Sequence, residues 1–362
     1  MSEYEDLAKT VLRKSLHVKA GENVIVETWN HGLPVATEFV HQARAIGARP
    51  MLLFEDEGAF WRSAAELPKG KVGHVGGHEW KALEAADAYV FLPGPADITR
   101  VHEVGEDRFY AAIGYNDEWY KRAKRYRIRG ARIGLGYATP ERAVSYGLDL
   151  DGWRRTVLEA SAVDPREIRR AGRALHAALS KKGRLEITAG NGTRFACELS
   201  GRMAAFEDAE VTEEDVDRGS NMADVPAGEV YVCPDAASGE GTIRFDRPIP
   251  ATGRWIRDIA FTFEDGRAKW TAAGDVTSLQ RTWQKAKGPK DRLAYVDVGL
   301  NPKARLGFLG DAMVAGVVSV GIGANAGLGG KNKTDFYLGG TLTGATVTIG
   351  GKTVVEGGRI VA

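Results

Sequence analysis

Short apolar runs that read as buried strands recur through the first half of the chain, and helical stretches fill the gaps between them. The runs are Asn23–Thr28, Pro50–Phe54, Ala88–Leu92 and Ala131–Leu135. Before the first, Leu7–Leu16 repeats apolar residues at helical spacing. Pro34 then opens a helix through Ala45 that Gly47 closes, because proline suits a first turn and glycine the left-handed exit. This alternation predicts a parallel sheet with helices on both faces. From Ala138 to Lys182 the pattern is nearly all helical, with Asp164-Pro165 as cap and first-turn proline.

The character changes near Gly183. Leu185–Thr188 and Arg194–Glu198 flank Asn191-Gly192, a hairpin signal because both turn positions tolerate positive φ. More strands are expected at Glu229–Cys233, Thr242–Phe245, Ile256–Phe263 and Ala268–Thr271, one helix at Val276–Lys285, and strands with glycine turns over Gly316–Gly323 and Ala345–Val361. A length of 362 residues suits two domains. The fold class expected is therefore α/β: a parallel α/β domain over residues 1–183, then a β-rich domain over 184–362 that carries the active-site cavity.

Charge and cysteine content narrow the function. With 49 basic and 48 acidic side chains the net charge is +1, without the basic surplus that phosphate neutralisation requires, so a nucleic-acid partner is not expected. The basic stretch Tyr120–Arg127 reads as a solvated helix face, with an anionic-ligand patch as the alternative. Cys197 and Cys233 form no CxxC pair and no disulfide framework. The acidic N-terminus lacks the order of a signal peptide, and no apolar run approaches a membrane span of about 20 residues. A cytoplasmic location with no membrane partner is expected.

All seven histidines fall in the first half. His74 and His78 stand four apart, but Gly73, Gly76 and Gly77 surround them, so a shared helical metal face is not assumed. His31 follows the first strand, at the edge where open α/β sheets bind ligands, and is a candidate substrate contact or a strand-to-helix cap. No glycine-rich phosphate fingerprint occurs at that turn.

The second half carries ordered blocks. Asn221–Pro234 includes Pro226-Ala227-Gly228-Glu229-Val230, and is followed by Gly241-Thr242-Ile243, Gly299–Arg305 with Asn301-Pro302, Val320–Asn325, Gly329–Asp335 and Val347–Lys352. In this order they resemble the aminopeptidase T-like family of thermophilic metallo-aminopeptidases, which also includes iron-dependent 2,5-dihydroxypyridine dioxygenases. The resemblance implies a homodimer whose α/β and β-rich domains enclose a cavity, where metallo members hold two divalent ions on carboxylates and histidines. Carried over position by position, one ligand of five remains, Glu229. Tyr295 stands where the second glutamate is expected, Ser319 where a histidine precedes Gly-Ile-Gly, and Tyr337-Leu338-Gly339 where a His-x-Asp pair closes the set.

Catalytic zinc takes three protein ligands, and paired metals need bridging carboxylates. Tyrosine and serine hydroxyls replace these poorly. Asp297 or Asp335 in shifted register would give an oxygen-only site suited to magnesium, calcium or manganese. The expectation is therefore no cofactor and no metal ligands, with a divalent metal as the alternative. Glu229 is the candidate base; Tyr295, Ser319 and Tyr337 complete the candidate catalytic set; Arg305, Lys331, Lys333 and His31 are candidate substrate-binding residues. Cys233 as nucleophile has no histidine after it in the chain. The function expected is a hydrolase-like activity on a small amide, peptide-like or heteroaromatic substrate without the family's metals. Alternatives are a conventional metal-dependent aminopeptidase with shifted ligands, a non-catalytic small-molecule binder, and a ring-cleaving oxygenase, which the absence of histidines after His176 disfavours.

Overall fold

The computed structural model describes residues 2–362 and divides the chain into two compact units. The first comprises the chain through Pro165 together with Ala209–Ala227; the second comprises Arg166–Asp208 and Gly228–Ala362. A single cut near residue 183 therefore does not describe the chain. The helical stretch before it is split at Pro165, and a later segment returns to the first unit.

The first unit is built on a parallel sheet of order β2-β1-β3-β4-β8, with β1 Asn23–Trp29, β2 Arg49–Glu55, β3 Ala88–Phe91, β4 Arg129–Ile133 and β8 Met222–Val225. The helix Leu33–Ile46 has proline in its first turn and ends on Gly47, whose φ of 89° is the left-handed exit read from the sequence. β4 starts two residues before the apolar run, because Gly134–Tyr137 turns into a 3-10 segment. The returning strand β8 pairs parallel with β4 from Gly130↔Met222 to Ile133↔Val225. Ahead of it, Thr212 and Asp215 form a capping box on Glu213–Arg218, Asn221 Nδ2 donates to the Ile128 carbonyl at 2.6 Å, and Arg127 pairs with Asp217 at 2.7 Å. The basic stretch is thus a helix face with local partners: Arg122 bonds Glu118 and lies 4.4 Å over the Trp80 ring. His74 precedes the helix Gly77–Glu84 and donates to the Gly70 carbonyl, so His74 and His78 share no helical face.

In the second unit, nine strands form an antiparallel sheet in the order β11-β12-β10-β6-β5-β17-β18-β19, with β13 also on β12. They are β5 Lys182–Thr188, β6 Arg194–Ser200, β10 Glu240–Arg244, β11 Ile249–Ala251, β12 Arg254–Glu264, β13 Arg267–Ala273, β17 Thr346–Ile349, β18 Lys352–Glu356 and β19 Arg359–Ile360. The Asn191-Gly192 hairpin is present, but only Gly192 has positive φ, because residues 189–193 form a longer loop than a two-residue turn. A third sheet, of order β16-β15-β14-β9-β7, is also antiparallel: β7 Ala205–Glu207, β9 Glu229–Val232, β14 Leu293–Gly299, β15 Val318–Gly323 and β16 Tyr337–Leu342. Among the described residues no helix is long and apolar enough to cross a membrane.

Candidate functional site

Strand parity puts the expected catalytic residues on one face of the third sheet. In antiparallel pairing, directly opposed residues project to the same side and alternate residues follow them. Tyr295 opposes Gly321, Asp297 opposes both Ser319 and Tyr231, and Gly299 opposes Glu229. On β16, Thr341 opposes Ser319, Gly339 opposes Gly321, and Tyr337 opposes Gly323. On β7, Glu207 opposes Glu229, so the face carries Glu207, Glu229, Tyr231, Tyr295, Asp297, Ser319, Tyr337 and Thr341. The opposite parity is Val230, Val232, Val296, Val298, Val318, Val320, Ile322, Leu338 and Leu342, all buried. On that side Gly340 leaves room for Phe245, whose ring would meet an added Cβ at 2.2 Å.

Two glycines make the site. A Cβ on Gly321 would stand 2.0 Å from Cε1 of Tyr295, and one on Gly339 would stand 2.4 Å from its hydroxyl. Tyr295 therefore lies across two neighbouring strands, in space that side chains at 321 and 339 would fill. Its hydroxyl meets that of Tyr337 at 2.7 Å, with the rings stacked at 9° and centroids 5.9 Å apart. Burial holds the Tyr295 phenol well above its ordinary range, helped by Tyr337, Asp297 and Glu229. Burial also raises Tyr337, to about 12; the bond with Tyr295 pulls it down, while Asp297 and Glu229 push it up. Either hydroxyl can donate in this pair. Tyr295 is 7% exposed, whereas Tyr337 keeps 52% of its surface open.

Asp297 is the deepest acid of the face, 4% exposed. Burial pushes its carboxyl up to about 7, against hydrogen bonds from the Ser319 side chain and N–H that favour the charged form. Ser319 Oγ lies 3.3 Å from Thr341 Oγ1. A hydroxyl has one proton, so a Ser319 that donates to Asp297 accepts from Thr341. Asp297 Oδ1 is buried and receives no bond from the protein.

The loops that flank these strands are held by paired amides. Asn325 accepts from the Asn332 N–H and donates to the Ala294 carbonyl, each at 2.8 Å. Asn332 donates to the carbonyls of Leu293 and Gly323 at 3.0 Å. Asn301 caps its own Asn-Pro turn by accepting from Lys303 and Ala304. The glycine-rich blocks read in the sequence are the connections that set the height of Tyr295 and Tyr337.

Other expected site residues fall elsewhere. Arg305, Lys331 and Lys333 are exposed on the loops after β14 and before β16. His31 belongs to the first unit, where Nε2 donates to the Gly136 carbonyl at 2.9 Å, bracing a turn at the sheet's C-terminal edge. Cys233 is buried, donates to the Leu328 carbonyl, and is held as a thiol by burial, which removes it as a nucleophile. Sequence reading weighed Asp297 only as an oxygen ligand in shifted register and passed over Thr341. The Tyr-x-Asp alternation at 295–297 was the available signal.

A family model described as thermophilic metalloprotease (M29) matches residues 1–290 of the chain. The chain belongs to this M29 family. Wild-type AmpT from Thermus thermophilus has the same fold, with a TM-score of 0.77 at 18% identity over 99% of both chains. A 2,5-dihydroxypyridine dioxygenase from Pseudomonas putida KT2440 aligns with a TM-score of 0.62 at 18% identity, over 100% of this chain and 98% of that one. No curated protein matches. The M29 match includes Glu229 and stops before β14, so Tyr295, Asp297, Ser319 and Tyr337 lie beyond it.

A two-metal centre requires several anionic or imidazole donors on one face. Here strand parity gives that face three carboxyls, Glu207, Glu229 and Asp297, while among the described residues no three His, Cys, Asp or Glu side chains gather to hold an ion. The phenols are held protonated, and Tyr295 fills the space beside Gly339.

Proposed function

We propose that this M29 member is a hydrolase that acts on a small amide, peptide-like or heteroaromatic substrate through the tyrosine–carboxyl face of the third sheet, without the family's metals. The observation that carries the reading is the Tyr295–Tyr337 hydroxyl pair laid over Gly321 and Gly339. Tyr337, the more open of the two, serves as donor to a carbonyl oxygen that becomes an oxyanion, while Tyr295 braces it from below. Glu229 takes a proton from the attacking water as the C–O bond forms, and returns it to the leaving nitrogen as the C–N bond breaks. Asp297, with Ser319 and Thr341 behind it, fixes the polar floor beneath the reacting group. The homodimer expected from the family resemblance and the cytoplasmic location belong to this proposal.

The test is a screen of small amides and aminoacyl anilides with metal-free protein. Turnover that survives a chelator and falls roughly 100-fold or more in Glu229→Gln supports the reading. One or two equivalents of tightly held zinc, cobalt or manganese, with activity abolished by the chelator, overturns it in favour of a metal-dependent aminopeptidase. M29 membership and the three carboxyls of the face, Glu207, Glu229 and Asp297, are what favour that second reading. Sedimentation equilibrium checks the dimer.

A further inference from the structure

The first unit contains a cavity of about 280 Å³ that the reading above does not use. It opens at the C-terminal ends of β1, β3 and β4. From β1 the chain passes to β2 on one side and then crosses back to β3 on the other, so the cavity sits at the point where strand order reverses. Open α/β sheets bind ligands at such points, because the connections diverge and leave a crevice.

A row of in-register residues forms its floor. Glu27 pairs with Phe91, Phe91 with Arg132, and Arg132 with Asp224. Two strand spacings separate the backbones of Glu27 and Arg132, about 10 Å. Between the acid and the base lies Phe91, and Trp29, Tyr115 and Trp119 enclose the space. Gly94 lets the Trp29 indole lie close, since a Cβ there would meet the ring at 2.3 Å. The Trp29 N–H is buried without an acceptor.

The charges are unevenly met. Arg132 donates to the Tyr120 hydroxyl at 2.6 Å and pairs with Asp224 at 3.4 Å. Among the described residues Glu27 has only the Tyr89 hydroxyl as a donor. Burial raises Glu27 to about 7, and it also raises Glu55 and Glu79, whose negative charges act on Glu27. Among the described residues no lysine or arginine pairs with these three acids. An acid end with no cation, a base end and an aromatic middle describe the complement of one kind of molecule.

We propose that this cavity binds a small zwitterion with an aromatic or apolar body, its amine facing Glu27 and its carboxylate facing Arg132. An amine over tyrosine and tryptophan faces gains cation–π attraction, and a carboxylate matches the guanidinium fork. The size is at the lower end of small-molecule pockets, which suits one ring with short polar arms. This proposal does not depend on the hydrolase reading.

The probes are 4-(aminomethyl)benzoate, benzylamine and benzoate, titrated calorimetrically against the full chain. The zwitterion is expected to bind at least about tenfold tighter than either singly charged probe. Glu27→Gln should erase its advantage over benzoate, and Arg132→Gln its advantage over benzylamine. Because both residues touch the packed floor, Asn116→Trp at the exposed rim is the second variant; it should block binding while the near-ultraviolet dichroism stays native. Tyr337→Phe, in the other unit, should leave binding unchanged. The proposal is overturned if wild-type protein binds none of the three saturably, or if the zwitterion has no advantage. It is equally overturned if Asn116→Trp binds like wild type, or if Tyr337→Phe abolishes binding.

Discussion

The hydroxyl of Tyr295 occupies the place that a side chain on residue 339 would need, with 2.4 Å between that oxygen and a Cβ built on Gly339. One strand's large residue and another strand's missing side chain are therefore a single design. Gly339→Ala should destabilise the protein by about 1–3 kcal/mol, the usual result of overpacking. Combined with Tyr295→Ala the two effects should fall short of their sum, because the clash disappears with the ring. Urea denaturation of both single variants and the double variant measures this coupling; strict additivity would contradict it.

Tyr337→Phe keeps the stacked ring and removes the outward proton. On the proposed mechanism kcat should fall by roughly 100- to 1,000-fold, the loss typical of one oxyanion donor. Tyr295→Phe should have the smaller effect, since Tyr295 is buried and Tyr337 is the more open of the two. Equal losses in the two variants, measured as kcat on the same amide, would argue against this division of roles.

Stability should decline as pH rises from about 4 to about 7. Asp297 is raised from an ordinary 3.8 to about 7, and Glu27 from 4.5 to about 7. In that window the folded chain holds protons that the unfolded chain has released, so stability present below the ordinary value is lost through the raised one. Asp297→Asn and Glu27→Gln should each flatten the slope. Denaturant midpoints at pH 5 and pH 8 decide, and an unchanged slope in both variants would count against the raised values.

Asn332→Ala leaves the buried carbonyls of Leu293 and Gly323 without their donor. A loss of roughly 2–4 kcal/mol is expected, since each unsatisfied buried group costs about 1–3 kcal/mol. Lys331→Ala and Lys333→Ala, on exposed neighbours in the same loop, should change the thermal midpoint little.

Much of the first unit was legible because its strands are short apolar runs bounded by turn residues, and Pro34 and Gly47 mark a helix unambiguously. β8 was not, since Met222–Val225 reads as loop until it finds the edge of β4. β14 and β16 were also passed over. Every residue of Leu293–Gly299 is buried, yet the stretch mixes tyrosine, aspartate and glycine in a way that hides a strand. Glu229, Tyr295, Ser319 and Tyr337 were read from their places in ordered blocks, and strand parity brings them to one face. Arg305, Lys331 and Lys333 also stand in such blocks, but on loops, where no strand parity fixes a side chain's direction.

The return of Ala209–Ala227 to the first unit has a consequence for synthesis on the ribosome. When residue 183 has just been made, β4 still presents a bare edge, and its partner lies 39 or more residues ahead, at Met222–Val225. An unpaired parallel edge is the kind of surface that captures other strands. The nascent chain is therefore most exposed to mispairing between these two points, and a release of translation there leaves an incomplete sheet where a finished domain would be assumed.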